Sequence, residues 1–486
     1  MSPPMTLLMR LLLLAPLWFF PSLATQALNL PDIGDPAERL ITPDQERQLG
    51  EAFMRRLRQQ MPFVDDPELN TYVNNLGNRL VANSDDPSQR FTFFIIKDSS
   101  INAFAAPGGF IGSHSALILA AHNESELAGV LAHEIAHVTQ KHLVRAYDSA
   151  SRMGLPTAAA ILAAILIGTQ NTDAGVAAVM SVQAGAIQQQ INFTRDNEKE
   201  ADRVGMQTLS RSDFDPMGMP GFFERLQQSA RYYGDGIPPF LSTHPVTTDR
   251  IADSTARAEQ QRPHKVQDNL NFYLAQAKLR VLTTADPQRA VAYFNQTKTD
   301  PVLPEAARNY GHALAASAAG NHDKAIEILQ RLAKNDPDRI AYQLALAHTE
   351  QQAGQLQAAL SRYQRMLKLY PANPVMTLGY ADALLNGKRY ADAYRILDDA
   401  RRQRNRPEPS LYLLLAQSAT GMGKESIAHE EMAEYYFLNG QTHEAVEQLT
   451  LASKTPGMDF YQSSRIEARM QQLKSIALEE DKEKRQ

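Results

Sequence analysis

A period of 34 residues constrains this chain more than any other feature of it. Gly320 and Gly354 stand one period apart, as do Pro337 and Pro371, and each glycine is followed five residues on by alanine (Ala325, Ala359). Small residues where two helices cross, with proline closing each unit, describe helical hairpins of the tetratricopeptide kind. Such hairpins stack side by side because one alone cannot bury its apolar face. The register runs less cleanly through GKRYADAYRIL (387–397) and returns at Gly440 with Ala445. Residues 267–297 read as a degenerate first unit. Residues 480–486 are polar throughout and read as a frayed tail.

The repeats begin after Gln261, so most of the first half of the 486 residues must build something else. Near the start, Arg10 is the only charge before Asp32. The apolar stretch Leu11–Phe20 follows, and then two small-x-small sites end at Ala24 and Ala27. This pattern predicts a signal peptide over 1–27 and export from the cytoplasm. The expected division is a signal peptide (1–27), a first domain (28–262) and a repeat domain (263–486). The net charge of −5, without a long basic run, argues against nucleic acid as a partner. The chain has no cysteine. That excludes disulfides, thiol nucleophiles and cysteine-ligated zinc, so a metal would have to sit on histidine and carboxylates.

Within the first domain, residues 36–85 read as helix with apolar residues at turn spacing (Leu49, Phe53, Leu57, then Leu69, Val73, Leu76, Leu80). FTFFIIK (91–97) reads as a strand, and 105–119 as a glycine-broken turn, a short strand and the start of a helix. A helix is expected from Glu124 to Tyr147, with Asn123 as N-cap and Glu126 completing a capping box. Two alanine-rich blocks over 155–187 fall short of the roughly 20 residues that span a bilayer. They read as a buried or mobile hairpin, or as one that touches a membrane surface peripherally or covers a cleft. Further helices are expected over 188–209 and in PGFFERLQQ, followed by the loop FLSTHPVTTDR (240–250).

His133-Glu134-Ile135-Ala136-His137 lies inside the apolar segment LAGVLAHEIAHV. Four-residue spacing puts both imidazoles on one helix face, where they can grip one zinc ion. Glu134 can reach an attacking water and serve as general base. Two histidines and a glutamate on an apolar helix would be costly to bury without a metal. In FTRDNEKEADRVG, Glu198 and Asp202 share a face. One can bind zinc while the other accepts the free ring N–H of a ligand histidine. Ala201 and Gly205 keep that side small, and Glu200 points elsewhere. His244, held extended by Pro245, could donate to an oxyanion, fill the metal's open position, or do neither. Arg250 could orient a carboxylate, contact substrate or lie on the surface. His114, His122 and His142 read as solvent-facing or capping residues.

HEIAH followed some sixty residues later by NEKEAD resembles the gluzincin family of the CAAX prenyl endopeptidase and the heat-shock membrane protease HtpX. INAFAAPGGFI (101–111) and STHP with Arg250 (242–250) match further segments of that family. The whole chain resembles an exported, repeat-bearing branch of it that serves the periplasm of Gram-negative bacteria. The resemblance implies one zinc per subunit held by His133, His137 and Glu198, with Glu134 as catalytic base and Asp202 supporting a ligand. It also implies that His244 acts at the metal, as a regulatory or transition-state residue. The implied clients are unfolded or stalled outer-membrane β-barrel proteins and their assembly machinery, docked on the repeats. The fold expected is mainly helical α+β: a zincin-type peptidase domain followed by an α-α superhelix. The rival expectation is a chaperone or scaffold in which the repeats act and the peptidase unit is largely latent.

Overall fold

The computed structural model describes residues 42–146, 184–232, 238–261, 269–297, 302–371, 373–403 and 408–484. The expected signal peptide, the expected boundary at 262/263 and nearly all of the apolar stretch 155–187 lie outside the described residues. The stretch read as one helical region forms two helices, α1 (Pro43–Gln60) and α2 (Pro67–Val81). Each starts on a side-chain cap with proline in its first turn. Thr42 and Gln45 form a reciprocal capping box, and Asp66 accepts from the amides of Glu68 and Leu69.

Three short strands follow: β1 (Thr92–Ile96), β2 (Ala103–Ala106) and β3 (Phe110–His114). Their order is β1-β3-β2, with β1 parallel and β2 antiparallel to β3. Pro107–Gly109 makes the tight turn between β2 and β3, where Gly108 and Gly109 take φ of 74° and 76°. α3 (Ser115–Ala120) leads to α4 (Glu124–Thr139). Only half of the expected capping box forms at α4. Asn123 accepts from the Glu126 amide, but the Glu126 carboxylate takes the His122 N–H instead. α4 also ends eight residues earlier than expected, and the chain turns at Lys141 with φ of 53° before a helical turn over 142–146.

Every residue of α4 from Glu124 to Ala136 is buried, which explains why its apolar pattern is not one-sided. α5 (Ala184–Arg211) crosses it. A Cβ on Gly205 would lie 3.0 Å from the Ala132 carbonyl oxygen and the His133 amide nitrogen. Glycine is therefore what allows the two helices their close approach. α6 (Gly218–Tyr232), α7 (Pro239–Thr243) and α8 (Thr248–Gln260) complete the unit.

The repeats comprise α9 (Leu270–Thr283), α10 (Pro287–Gln296), α11 (Glu305–Ala318), α12 (His322–Asn335), α13 (Ile340–Gln352) and α14 (Leu356–Leu369). They continue through α15 (Pro374–Asn386), α16 (Tyr390–Arg402), α17 (Pro409–Gly421), α18 (Glu425–Leu438), α19 (Thr442–Lys454) and α20 (Phe460–Lys484). The hairpin turns fall at Gly320, Gly354, Lys388 and Gly423, all with positive φ, and Ala325, Ala359, Ala393 and Ala428 sit buried five residues beyond each. The blurred third unit is thus regular in backbone, with lysine in the left-handed position. Gly440 starts a further turn only half a period after Gly423, with Ala445 again buried. Residues 480–484 of the expected frayed tail instead continue α20, which runs to Lys484, and 485–486 lie outside the described residues.

One hydrophobic core runs from Val64 and Leu131 through Phe214 and Phe272 to Tyr310 and Leu346. It therefore crosses from the first unit into the first repeats without a break. Lys278 of α9 adds a polar tie, reaching Asp66 and Glu68 at the start of α2 (2.9 and 2.7 Å). Among the described residues, no helix is long and apolar enough to cross a membrane.

Candidate metal centre

α4 supplies His133, Glu134 and His137, α5 supplies Glu198 and Asp202, His244 follows α7, and Arg250 lies in the first turn of α8. These elements bring together one ligand atom each from His133, His137, Glu198 and His244, all within 4.8 Å of one another. The Nε2 atoms of His133 and His137 are 3.0 Å apart. Glu198 oxygens lie 3.3 Å from His133 Nε2 and 3.4 Å from His137 Nε2. His244 Nδ1 lies 3.3 Å from His133 Nε2 and 3.1 Å from Glu198 Oε1.

These spacings fit a small divalent ion. Four donors arranged tetrahedrally at zinc distances would stand about 3.3 Å from one another. The donor chemistry fits as well, with three imidazoles and one carboxylate. The Nε2 atoms of His133 and His137, 3.0 Å apart, face the same buried carboxylate, an arrangement that a shared cation would satisfy. Glu134 is 1% exposed, and its Oε1 makes no hydrogen bond, lying 3.5 Å from His244 Nε2. A buried, unsatisfied carboxylate oxygen beside a metal-type cluster is available for a proton or a water.

Behind the cluster, Arg250 grips Asp202 with two bonds of 2.7 Å and reaches Glu198 Oε2 at 3.0 Å. Asp202 Oδ1 in turn lies 3.0 Å from His133 Nδ1. Arg250 is thus buried and orients both carboxylates. Burial opposes charge on Glu198 and Asp202, yet the histidines around Glu198 and the Arg250 guanidinium on Asp202 hold both carboxyls below their ordinary range. Burial pushes the His137 ring down to about 3, so it is neutral with a lone pair to offer. Burial also pushes the Glu134 carboxyl up.

Three residues differ from the sequence expectation. His142, expected at the surface, is 5% exposed, with its Nδ1 2.8 Å from His137 Nδ1. Glu200 does not point away; it meets His142 Nε2 at 3.1 Å and Arg145 at 2.6 Å. His114 is buried too, against Ser100 and Asp98. The turn at Lys141 reverses the direction in which His142 faces, and helical spacing carried no sign of it. His122 is exposed, and the side chains of the apolar stretch at 155–187 lie outside the described residues.

Comparison with known proteins covers both halves of the chain. Residues 67–258 match peptidase family M48, while 309–339 and 351–418 match tetratricopeptide repeats. A protein of Vibrio cholerae is 39% identical over 449 residues, 92% of each chain. The beta-barrel assembly-enhancing protease of Escherichia coli is 38% identical over 94% of this chain and 93% of its own. The mitochondrial metalloendopeptidase OMA1 of Schizosaccharomyces pombe is 28% identical over 37% of this chain and half of its own.

Proposed function

The chain belongs to the beta-barrel assembly-enhancing proteases, metalloendopeptidases with an M48 unit and tetratricopeptide repeats, and from that premise we propose how it works and on what. His133, His137 and Glu198 hold one zinc ion, and Glu134 is the general base. Bound there, the ion supplies Lewis acidity that polarises a carbonyl and brings the pKa of a water ligand towards neutrality. The observation that carries this reading is the buried, unsatisfied Oε1 of Glu134 beside four convergent donors.

Glu134 takes the proton of the attacking water at Oε1 and passes it to the leaving amine. Burial shifts its carboxyl up, which helps it hold the proton between the two steps. Asp202 Oδ1, 3.0 Å from His133 Nδ1, favours the tautomer that leaves the His133 Nε2 lone pair facing the cluster, and Arg250 holds Asp202 and Glu198 in place. Among the described residues, strand β2 has β3 on one side only, so its open edge can pair with an extended client backbone. Clients are unfolded or stalled outer-membrane β-barrel proteins in the periplasm, docked on the repeats with their assembly machinery, and the division of labour falls between 28–262 and 263–486.

The test is Glu134→Gln in the full chain. It should retain one zinc per subunit and lose peptide cleavage by roughly 10²–10⁴-fold. Full activity in that variant, or a full zinc complement in Glu198→Ala, would overturn the assignment. A second reading rests on His244, whose Nδ1 occupies the fourth donor position. In that reading the resting peptidase is latent and the repeats act as a chaperone or scaffold. His244→Ala then raises basal proteolysis, whereas an oxyanion role for His244 requires a fall.

A further inference from the structure

Two of the proposed ligands are imidazoles, and a metal-binding imidazole needs its second nitrogen held. For His133 that partner is Asp202. Among the described residues, no carboxylate lies at the Nδ1 of His137. That nitrogen has another imidazole, His142, at 2.8 Å, with the two rings edge to face and their centres 4.8 Å apart. We infer that His142 is a positioning residue for the metal ligand His137, and that Glu200 and Arg145 set the direction of the hydrogen-bond chain that holds it. The inference rests on the metal assignment above.

The argument is one of matching donors to acceptors. If His137 offers the Nε2 lone pair, its hydrogen is on Nδ1 and must be donated. The acceptor within reach is His142 Nδ1, so His142 carries its own hydrogen on Nε2. That hydrogen points at Glu200 Oε2, 3.1 Å away, and a carboxylate can only accept. Arg145 donates to the same oxygen at 2.6 Å, which keeps Glu200 ionised and in place. Reversing the chain would put the His142 hydrogen on Nδ1, leave two lone pairs facing each other at Glu200, and place a hydrogen on the ligand nitrogen of His137. Glu200 therefore decides, through His142, which nitrogen of His137 carries the lone pair.

The backbone points to the same use. Lys141 adopts φ of 53°, a left-handed conformation that a non-glycine residue holds only when its surroundings impose it. That turn takes the chain out of α4 and returns the His142 ring, 5% exposed, beside His137. A continuous helix would have carried residue 142 onto a different face from residue 137.

The decisive measurement is zinc affinity of the purified full-length protein, by chelator competition, with the absorption bands of the cobalt-substituted protein as a second readout. His142→Phe keeps a packed ring but cannot accept; it should weaken zinc binding roughly 10–100-fold and shift the cobalt bands. His142→Asn places a carbonyl oxygen near the Nδ1 position and should restore binding to within a few-fold. Glu200→Gln, at a site about one-third exposed, should give a smaller loss of the same sign. A packing role for His142 predicts the reverse order, with phenylalanine tolerated and asparagine not, and that result would overturn the inference. So would zinc affinities within twofold of the parent in both His142→Phe and Glu200→Gln. If the parent protein binds no zinc, or His137→Ala binds it as tightly as the parent, the metal assignment itself has failed and this inference goes with it.

Discussion

The first repeats and the last ones are built from the same kind of hairpin but belong to different bodies of hydrophobic contact. Helices α9 to α13 share a single core with the peptidase unit, reaching from Val64 to Leu346. Beyond them the array breaks into smaller clusters. One centres on Leu360, Tyr363 and Met376, another on Leu378, Leu397 and Leu415, and a third on Ala445, Leu449 and Ile466. In a stacked array each unit is stabilised mainly by its neighbours. A defect in the last units should therefore stay there, while a defect in the first units should be felt at the metal centre. The proximal hairpins act as part of the enzyme's scaffold and the distal ones as an arm.

The sharpest way to break this contrast is a matched pair of overpacked glycines. A Cβ on Gly311 of α11 would come within 2.2 Å of the Phe294 ring, and one on Gly421 of α17 within 2.3 Å of the Tyr390 ring. Valine at either site should cost about 3 kcal/mol locally. Gly311→Val is expected to lower the thermal midpoint of the peptidase unit by roughly 6–12 °C and to reduce zinc retention with it. Gly421→Val should unfold the distal hairpins early and leave cleavage of a short peptide unchanged at 25 °C. Equal loss of peptidase activity in the two variants would dissolve the distinction.

A smaller effect is expected at the polar tie between the two units. Lys278 is about four-fifths buried between Asp66 and Glu68. Those two carboxylates also sit at the N-terminus of α2, which favours negative charge. Lys278→Met should therefore cost about 2 kcal/mol, less than the 3–5 kcal/mol typical when a fully buried pair is broken. Denaturant unfolding followed by loss of zinc should report it. A variant as stable as the parent would mean that the apolar core alone joins the two units.

What the sequence made legible does not follow this division. The hairpins at Gly320 and Gly354 announce themselves by period, because each repeats one local solution: a left-handed turn with a small residue five positions on. Lys388 hid one unit, since the backbone there needs a positive φ and not glycine as such. The zinc-type motif was legible because four-residue spacing on a helix is a distance statement. Asp202 could be paired with Glu198 on the same ground, and Arg250 could be weighed as a partner for a carboxylate. His142 and Glu200 were not legible, because their roles depend on one backbone turn at Lys141 that no spacing rule encodes. The continuous core at α9 was hidden for another reason. Burial between two units leaves the same apolar pattern in a helix as burial within one.

Charge offers a way to read the distal arm alone. Burial raises the Glu431 carboxyl to about 7, despite the Arg401 guanidinium 2.7 Å away. The folded arm thus binds this proton more tightly than the unfolded chain does. Its contribution to stability is complete below about pH 4.5 and is lost as pH rises through 7. Because Arg401 is about one-third exposed, the loss between pH 5 and pH 8 should be about 1.5 kcal/mol rather than the full value of the shift. Distal unfolding followed by hydrogen exchange in α18 should show that slope in the parent, and Glu431→Gln should flatten it. The same slope at the metal centre would contradict the independence of the two regions.

The least expected effect is where the end of the arm returns to the peptidase unit, in addition to the contact of α15 with α2 nearer the arm's start. Arg55 of α1 lies over the Phe437 ring of α18 at 4.9 Å and reaches Glu480 of α20 at 3.5 Å. Arg58 approaches Asn439, and the Gln59 side chain donates to the Gly440 carbonyl. Gly440 itself packs so closely on the Arg55 carbonyl that a Cβ there would lie 2.1 Å from it. These contacts are polar, few and partly exposed, so Arg55→Ala should cost about 0.5–1 kcal/mol. Their effect is on geometry more than on stability, since they set how far the end of the arm stands from the peptidase unit. Hydrogen exchange along α20 should quicken in Arg55→Ala while the unfolding midpoint of the core shared by α2, α4 and α9 stays within about 2 °C of the parent. A larger fall in that midpoint would show that the arm braces the enzyme from both ends, and the two-body description would have to give way to a closed ring.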